Sequence, residues 1–229
     1  MLYLITGANR GIGLGFVGQL LARGDSVVAT ARRPDEADEL QRLAERHPDR
    51  LEIVELDLGR QDTIDEVADL LGERPLDVLI NNGATMQGAG PFEELNDSIL
   101  FESFEVNTVG PLRVSRALLP NLERAEGAKI VNITSKMGSV ADNTSGGSYA
   151  YRISKAALNM ATRSMAIDLA PREIIAFVIH PGWVRTRMGG SNALIDTETS
   201  VSNMLRIIDG ADEETSGTFQ EWNGNQVPW

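Results

Sequence analysis

Cysteine is absent from this sequence of 229 residues, and histidine occurs only twice. Without cysteine, the chain cannot form disulfide bonds, bind zinc through thiolates or use a cysteine nucleophile. The two histidines, His47 and His180, stand far apart in the sequence, which argues against a histidine-rich metal site. We therefore expect no metal ion in the functional site.

Long apolar runs and clusters of positive charge are also missing. No apolar run approaches the roughly 20 residues of a membrane-spanning helix, and because a strand-like run begins at Leu2, we expect no signal peptide. Acidic residues outnumber basic ones by 33 to 21, for a net charge of −12, which disfavours binding to nucleic acid or to anionic membranes. These features predict a cytoplasmic protein with no nucleic-acid or membrane partner.

The sequence does contain a regular alternation of apolar, strand-like runs with amphipathic, helix-like segments. Such alternation implies right-handed crossovers and a parallel sheet with helices on both faces, and a hydrophobic content of 42% suits one large domain. We predict a single doubly wound α/β domain over residues 1–229, with a mostly parallel sheet of seven strands. The strands are predicted within residues 2–6, 26–33, 51–58, 76–84, 128–135, 174–186 and 218–222.

The segment TGANRGIG, residues 6–13, lies between the first strand and the first helix. In this position Gly7, Gly11 and Gly13 allow a tight turn, close approach of the backbone to a pyrophosphate and close packing of the helix. The spacing is TGxxxGxG rather than GxGxxG, and a purely structural turn is the alternative. The order of strand, glycine turn and helix favours a dinucleotide site with the phosphates at the helix N-terminus.

Arginines follow the second strand, where dinucleotide-binding folds place the adenosine ribose. An acidic residue there would accept a hydrogen bond from the 2′-hydroxyl, but the chain has Ala31, Arg32 and Arg33, with Arg10 in the glycine turn. A 2′-phosphate would be attracted to these charges, so we expect NADP(H) to be preferred over NAD(H). Alternatively, some of the arginines only begin the next helix. Asp57, after the third strand, could accept a hydrogen bond from the adenine amino group.

Tyr151 and Lys155 lie four residues apart in SYAYRISKAALN, residues 148–159, where a helix is predicted. Residues i and i+4 share a helix face, and an ammonium beside a phenol favours the phenolate and lowers its pKa from about 10. Such a tyrosine could act as an acid or base, although a chance YxxxK on a helix surface is the alternative. The fifth strand delivers Ser135 to its carboxyl end, where open α/β sheets bind ligands.

One long helix is predicted over residues 98–122, interrupted near Asn107 because Gly110 and Pro111 follow. Asn107 would then lie at a bend, either facing solvent or held for hydrogen bonding. His180 is predicted to be a packed residue at the end of the sixth strand rather than a catalyst, since Pro181 ends that strand.

Three loops are predicted to select the substrate: residues 86–98, 136–147 and 187–200. The segment 188–197 has two adjacent glycines and is predicted to be a mobile lid. A partly apolar pocket is indicated by the side chains of Met86, Met137, Trp183 and Met188.

Taken together, these motifs resemble the short-chain dehydrogenase/reductase family, which has a Rossmann-type fold, over essentially the whole chain. The matching features are TGANRGIG, Asp57, the Asn81–Asn82 turn, Ser135 with YRISK, and PGWVRT. The opening motif, YRISKAALNM and the VPW at residues 227–229 are most similar to the subgroup of sniffer-type carbonyl reductases and C-factor-like proteins. One departure is NNGA at residues 81–84, where the family usually has NNAG.

The resemblance implies a redox reaction between a carbonyl and an alcohol. NADPH would give hydride to the carbonyl carbon, Tyr151 would give a proton to its oxygen, and Ser135 would polarise that oxygen. Lys155 would bond the nicotinamide ribose and favour the tyrosinate, and Asn107 would support the lysine through a water relay. The implied cofactor-binding residues are Gly7, Asn9, Arg10, Gly11, Ile12, Gly13, Arg32, Asp57, Leu58, Asn82, Gly83, Tyr151, Lys155, Pro181, Val184 and Thr186.

The sequence therefore predicts an NADP(H)-dependent carbonyl reductase that acts on a small carbonyl or alcohol. The resemblance also implies a homodimer or homotetramer formed through the long helices. One alternative is a signalling or regulatory protein of the C-factor type that binds the dinucleotide and acts through a partner. Another, an NADP-dependent epimerase or dehydratase, is disfavoured because such relatives usually carry an added substrate domain.

Overall fold

The computed structural model describes all residues, 1–229, and contains one sheet of seven strands. The strands are β1 (Leu2–Ile5), β2 (Ser26–Ala31), β3 (Leu51–Glu55), β4 (Val78–Asn81), β5 (Lys129–Ile133), β6 (Ile175–His180) and β7 (Phe219–Glu221). They lie in the order β3-β2-β1-β4-β5-β6-β7, and every neighbouring pair is parallel. The predicted doubly wound, Rossmann-type sheet is confirmed, and its seven strands are all parallel.

Eight α-helices connect the strands. They are α1 (Gly11–Ala22), α2 (Asp38–Arg46), α3 (Gln61–Leu71), α4 (Asp97–Phe104), α5 (Gly110–Ala117), α6 (Leu119–Leu122), α7 (Tyr149–Leu169) and α8 (Thr197–Asp209). No helix combines the length and the apolar composition that a membrane span requires.

The central strands are mostly apolar and buried because both faces of the sheet are covered. In β1, Tyr3 and Ile5 belong to a buried cluster that also contains Phe16 of α1 and Met204 of α8. Leu4, between them, points to the opposite face and belongs to a second cluster with α3, α5 and α7. This alternation places helices on both faces and leaves the two ends of the sheet for loops.

The strands end earlier than the apolar runs predict. The run predicted over residues 51–58 ends as a strand at Glu55, because its neighbour β2 ends opposite it at Ala31. Asp57 and Leu58 therefore lie in the loop after β3. The same shortening places Ser135 and Asn82 in loops after their strands, so the polar residues of interest leave the sheet together at its carboxyl edge.

The predicted interruption of the long helix near Asn107 is confirmed, and it takes the form of a π-helical turn over Glu105–Val109. Helix α5 begins immediately afterwards at Gly110, with Pro111 in its first turn. A Cβ at Gly110 would lie 2.7 Å from Cβ of Leu58. Glycine is therefore required for the bent helix to approach the loop after β3.

Two glycines of α1 test how closely this helix packs against the turn after β4. A Cβ on Gly13 would lie 2.6 Å from Nδ2 of Asn82, whereas a Cβ on Gly18 would meet no atom within 4 Å. We expect Gly13→Ala to destabilise the protein by about 1–3 kcal/mol through overpacking. Gly18→Ala should stabilise it by about 0.5–1 kcal/mol because alanine restricts the unfolded chain.

Urea unfolding of both variants and the wild type measures these effects. Equal stability changes in the two variants would show that the crowding around Gly13 does not limit the fold.

Candidate active site

The candidate site lies at the carboxyl edge of the sheet, where β1 and β4 are neighbours. The chain leaves β1 towards β2 on one side and leaves β4 towards β5 on the other. Loops diverge at such a switch point, and open α/β sheets bind ligands in the resulting crevice.

Hydrogen bonds join the turn after β1 to the turn after β4. The hydroxyl oxygen of Thr6 accepts bonds from the backbone amides of Asn82 and Gly83, both at 3.0 Å. In return, the side-chain amide of Asn82 donates to the carbonyl oxygens of Thr6 and Gly7, again at 3.0 Å. Asn82 and Gly83, predicted to bind the cofactor, thus lie against the glycine turn and hold its shape.

The glycine turn leaves backbone donors at the N-terminus of α1. The N–H groups of Asn9 and Arg10 donate to no protein acceptor, and Arg10 provides no side-chain cap for the helix. The first amides of a helix also lack intrahelical acceptors. With Gly11 at a φ of +54° where the helix begins, this arrangement fits an anionic phosphate group, which is the chemistry expected of a pyrophosphate-binding turn.

The arginines near the turn differ in their partners. Arg33 forms an ion pair with Glu36 at 3.1 Å, so its charge is already compensated. Arg10 and Arg32 are exposed, and neither takes part in an ion pair of the structure. Arg10 and Arg32 are therefore the cations available for an additional phosphate.

Leu58 lies against the glycine of the NNGA sequence. A Cβ at Gly83 would lie 2.9 Å from Cδ1 of Leu58, and a Cβ at Gly110 would contact the same leucine. Leu58 is buried between these two glycines, so glycine suits the third position of the motif here. Asp57 is partly exposed, and its Oδ1 accepts a hydrogen bond from the amide of Gly59 at 3.0 Å.

Ser135, Tyr151 and Lys155 come together at the ends of β5 and α7, and all are buried. The Lys155 ammonium donates to the carbonyl oxygen of Ile133 at 2.9 Å and lies 5.9 Å from the centroid of the Tyr151 ring. The Ser135 hydroxyl oxygen accepts a bond from the amide of Met137 at 3.2 Å. The structure thus brings together the predicted serine, tyrosine and lysine.

The electrostatics correct one expectation drawn from the sequence. Burial raises the pKa of Tyr151 to about 12, and the Ser135 hydroxyl only partly opposes this rise. Burial also lowers the pKa of Lys155 to about 7. The expected lowering of the tyrosine pKa by lysine is wrong for this structure, because burial disfavours both charged forms and the lysine itself loses its charge near neutral pH.

Asn107 is fully buried in the π-helical turn and is held by hydrogen bonds. Its side-chain amide donates to the carbonyl oxygen of Thr85 at 2.9 Å and to the hydroxyl of Ser154 at 3.0 Å, while its Oδ1 accepts from the amide of Thr85 at 2.8 Å. The Ser154 hydroxyl donates in turn to the carbonyl of Tyr151. Asn107 therefore positions α7, and its side chain makes no hydrogen bond to Lys155.

The loop after β6 lies across the glycine turn. A Cβ at Gly11 would lie 3.3 Å from Cγ2 of Thr186, so Thr186 lies beside the start of α1. The predicted lid is tied at its base, because the Arg185 amide donates to the Ile195 carbonyl at 2.8 Å. Pro181 and Val184, in the first part of this loop, are buried.

Two polar residues of the site were not identified from the sequence. Thr6 joins the two turns, and Asn159 accepts a bond from the Thr134 hydroxyl at 2.6 Å and donates to the Gly138 carbonyl at 3.2 Å. Asn159 lies four residues after Lys155, on the same helix face. That spacing was the available signal, although an asparagine at such a position is also common on helix surfaces.

Sequence comparison agrees with this geometry. The model of the family described as short chain dehydrogenase matches residues 2–194. The chain therefore belongs to the short-chain dehydrogenase/reductase family and is an oxidoreductase of that type.

The most similar relatives include proteins of the predicted subgroup. The chain is 46% identical to the C-signal of Myxococcus xanthus over 155 residues, which cover 68% of this chain and 93% of that protein. The carbonyl reductase Sniffer of D. melanogaster has a TM-score of 0.94 at 36% identity, covering 99% of this chain and 98% of that one. The NADPH-bound carbonyl reductase from chicken fatty liver has a TM-score of 0.94 at 38% identity, with the same coverage.

The lowered pKa of Lys155 gives a prediction for stability. The folded pKa is about 7, whereas an unfolded lysine has a pKa of about 10.4. Between these values the unfolded chain binds more protons, so this site makes the free energy of unfolding rise with pH, by up to about 1.4 kcal/mol per unit. Lys155→Met should lose this rise.

Urea unfolding at pH 7, 8 and 9 measures how the free energy of unfolding changes with pH. Lys136→Met removes a partly exposed lysine of the adjacent loop and should keep the wild-type slope. A Lys155→Met slope equal to that of the wild type would mean that Lys155 stays charged when buried.

Proposed function

We propose that this oxidoreductase is an NADP(H)-dependent carbonyl reductase that converts an aldehyde or ketone into an alcohol. The observation that carries the proposal is the buried group of Ser135, Tyr151 and Lys155 at the same edge of the sheet as the glycine turn. When bound, NADPH supplies the hydride that such a reaction needs. The sniffer-type relatives support the carbonyl as the group that is reduced.

The protein side of the reaction is proton transfer and charge stabilisation. Because the pKa of Tyr151 is raised to about 12, its phenol keeps its proton at neutral pH and is a proton donor to the carbonyl oxygen. Ser135 hydrogen-bonds that oxygen and stabilises its developing charge. Lys155, with a pKa of about 7, can hold or release a proton near the working pH and, when charged, stabilises the tyrosinate.

Turnover is tested by following NADPH oxidation with aldehydes, ketones, diketones and quinones. We expect the wild-type protein to turn over at least one of these compounds. Tyr151→Phe should reduce that turnover at least about 100-fold because the general acid is lost. Ser135→Ala should reduce it about 100-fold or more because a donor to the oxyanion is lost. Ser135→Ala should bind NADPH as the wild type does, measured by the change in NADPH fluorescence. Tyr151→Phe keeps the ring but loses one proposed cofactor contact, so it should weaken NADPH binding far less than it lowers turnover. Full activity of Tyr151→Phe would exclude this mechanism.

A preference for NADP(H) over NAD(H) forms part of the proposal. Arg10 and Arg32 are the exposed cations without an acidic partner near the end of β2 and the glycine turn, and a reductase relative is described as NADPH-bound. The remaining residues of the predicted cofactor set keep their proposed roles: Gly7, Asn9, Gly11, Ile12, Gly13, Asp57, Leu58, Asn82, Gly83, Tyr151, Lys155, Pro181, Val184 and Thr186.

Neighbouring arginines allow this preference to be tested with a matched control. Arg32→Asp should weaken NADPH binding about tenfold to 100-fold, the value of a lost hydrogen bond to a charged group, and should affect NADH little. Arg33→Asp should weaken NADPH binding much less than Arg32→Asp does, because the Arg33 guanidinium is already engaged by Glu36. Equal weakening of NADPH and NADH by Arg32→Asp would place the 2′-phosphate elsewhere.

A second function is favoured by the identity of 46% to the C-signal. In this alternative the chain binds the dinucleotide and acts on a partner as a regulatory protein. Tyr151→Phe separates the two functions, since it should abolish reduction while largely retaining dinucleotide binding. A cellular effect of the protein that persists in this variant would not depend on reduction.

Exposed apolar side chains support a homo-oligomer built through the long helices. Phe101 of α4 and Met160 and Ile167 of α7 are 71%, 68% and 61% exposed, and α4 packs against α7.

We expect the double variant Met160→Glu, Ile167→Glu to be a monomer in light scattering, because an oligomer would bury the new carboxylates without partners. Leu70→Glu, at an exposed position of α3, is the control and should keep the oligomer. A wild-type monomer would contradict this interface.

The exposed apolar side chains near the site and the net charge of the chain support the remaining predictions about partners. Trp183, Met188 and Leu194, near the candidate site, are 52%, 49% and 80% exposed, which favours a partly apolar carbonyl substrate. The net charge of −12 favours a small molecule over nucleic acid as the partner. Location in the cytoplasm stays a prediction.

A further inference from the structure

Arg152, the residue after Tyr151, binds both ends of the loop 136–147. Its Nη1 donates to the carbonyl oxygen of Met137 at 3.2 Å. Its Nε donates to the carbonyls of Gly146 and Gly147 at 3.2 and 3.1 Å, and Nη2 donates to the hydroxyl of Ser145 at 2.8 Å. No partner is a carboxylate, so this guanidinium is used to hold a loop rather than to form an ion pair.

The contact with Met137 reaches the candidate catalytic serine. The Met137 amide donates to the hydroxyl oxygen of Ser135 at 3.2 Å, while the Met137 carbonyl accepts from Arg152. Both polar groups of one residue are therefore engaged, one by Arg152 and the other by Ser135. Since the short 3₁₀ turn over Lys136–Gly138 follows Ser135 directly, the orientation of residue 137 determines where its amide points.

That amide influences the direction in which Ser135 donates. A serine hydroxyl has one proton and two lone pairs. Because the Met137 amide uses a lone pair, the proton remains available for an acceptor on the other side. Ser135 and Tyr151 are both buried at the candidate site, and the Ser135 hydroxyl partly opposes the rise in the pKa of the Tyr151 phenol.

The rest of the loop is held independently of Arg152. The Ser139 hydroxyl donates to the Pro228 carbonyl at 2.6 Å, and the Ala141 amide donates to the Trp229 carbonyl at 3.0 Å. Asn159 also donates to the Gly138 carbonyl. Loss of Arg152 should therefore loosen residue 137 and residues 145–147 without releasing the middle of the loop.

We propose that Arg152 is a positioning residue that orients the Ser135 hydroxyl through Met137. This inference rests on the proposed reductase function, in which Ser135 hydrogen-bonds the substrate oxygen. Arg152 itself contacts neither the Tyr151 phenol nor the Lys155 ammonium by a hydrogen bond, so its effect on the reaction passes through the loop.

A double-mutant cycle with Ser135 tests the proposal. Arg152→Met should lower kcat about tenfold through misplacement of a catalytic group, with the KM for NADPH changed less than about twofold because no cofactor contact is lost. In the Ser135→Ala background, Arg152→Met should cause no further loss, since both changes remove the same interaction. Losses that multiply would overturn the proposal.

Arg163→Met is the matched control for this cycle. Arg163 lies on the same helix and donates to the Gly217 carbonyl at 3.2 Å, away from the loop 136–147. Arg163→Met should leave kcat unchanged, both in the wild-type protein and in the Ser135→Ala background. A loss of kcat in Arg163→Met equal to that in Arg152→Met would indicate a general effect on α7 and would overturn the specific role.

Hydrogen exchange gives a readout that does not depend on turnover. In Arg152→Met, amide exchange in a peptide covering residues 136–147 should accelerate, while Arg163→Met should match the wild type. Unchanged exchange in Arg152→Met would overturn the inference whether or not the protein reduces carbonyls. Accelerated exchange in a protein without any turnover would instead overturn the reductase proposal and leave Arg152 as a holder of the loop.

Discussion

The contact between the turns after β1 and β4 is the constraint on which the rest of the site depends. Thr6 accepts bonds from the amides of Asn82 and Gly83, and the Asn82 side chain returns two bonds to the glycine turn. The backbones approach so closely that a Cβ at Gly7 would lie 2.7 Å from Cα of Gly83. This contact fixes the start of α1, and therefore the amides that suit a phosphate, relative to the centre of the sheet.

A second constraint is a chain of buried polar groups that ties α5, β4, β5 and α7 together. Each bond contributes only about 1 kcal/mol, but a buried polar group left without a partner costs about 1–3 kcal/mol. Such a chain therefore specifies one arrangement of α7 on the sheet, and it places Tyr151 and Lys155 beside Ser135. Its members are Ser115, Asn81, Asn132 and Thr162.

Burial then determines how the site can act. A phenol whose pKa is about 12 holds its proton, and a lysine whose pKa is about 7 changes charge near neutrality. In the proposed reduction, these pKa directions suit Tyr151 as a protonated acid and Lys155 as a neighbour whose charge changes near neutral pH. Asn107, Ser154 and Arg152 are not among the candidate catalytic groups, but each holds a backbone segment that carries one of them.

The sequence by itself determined the class of fold, the glycine turn and the tyrosine–lysine pair, because these depend on local periodicity and spacing. The tertiary structure decided the strand ends and the π-helical turn at Asn107. It also decided that Lys155 bonds a strand carbonyl and that burial raises the pKa of Tyr151. These properties depend on contacts between segments far apart in the chain and on removal from water, neither of which a local pattern contains.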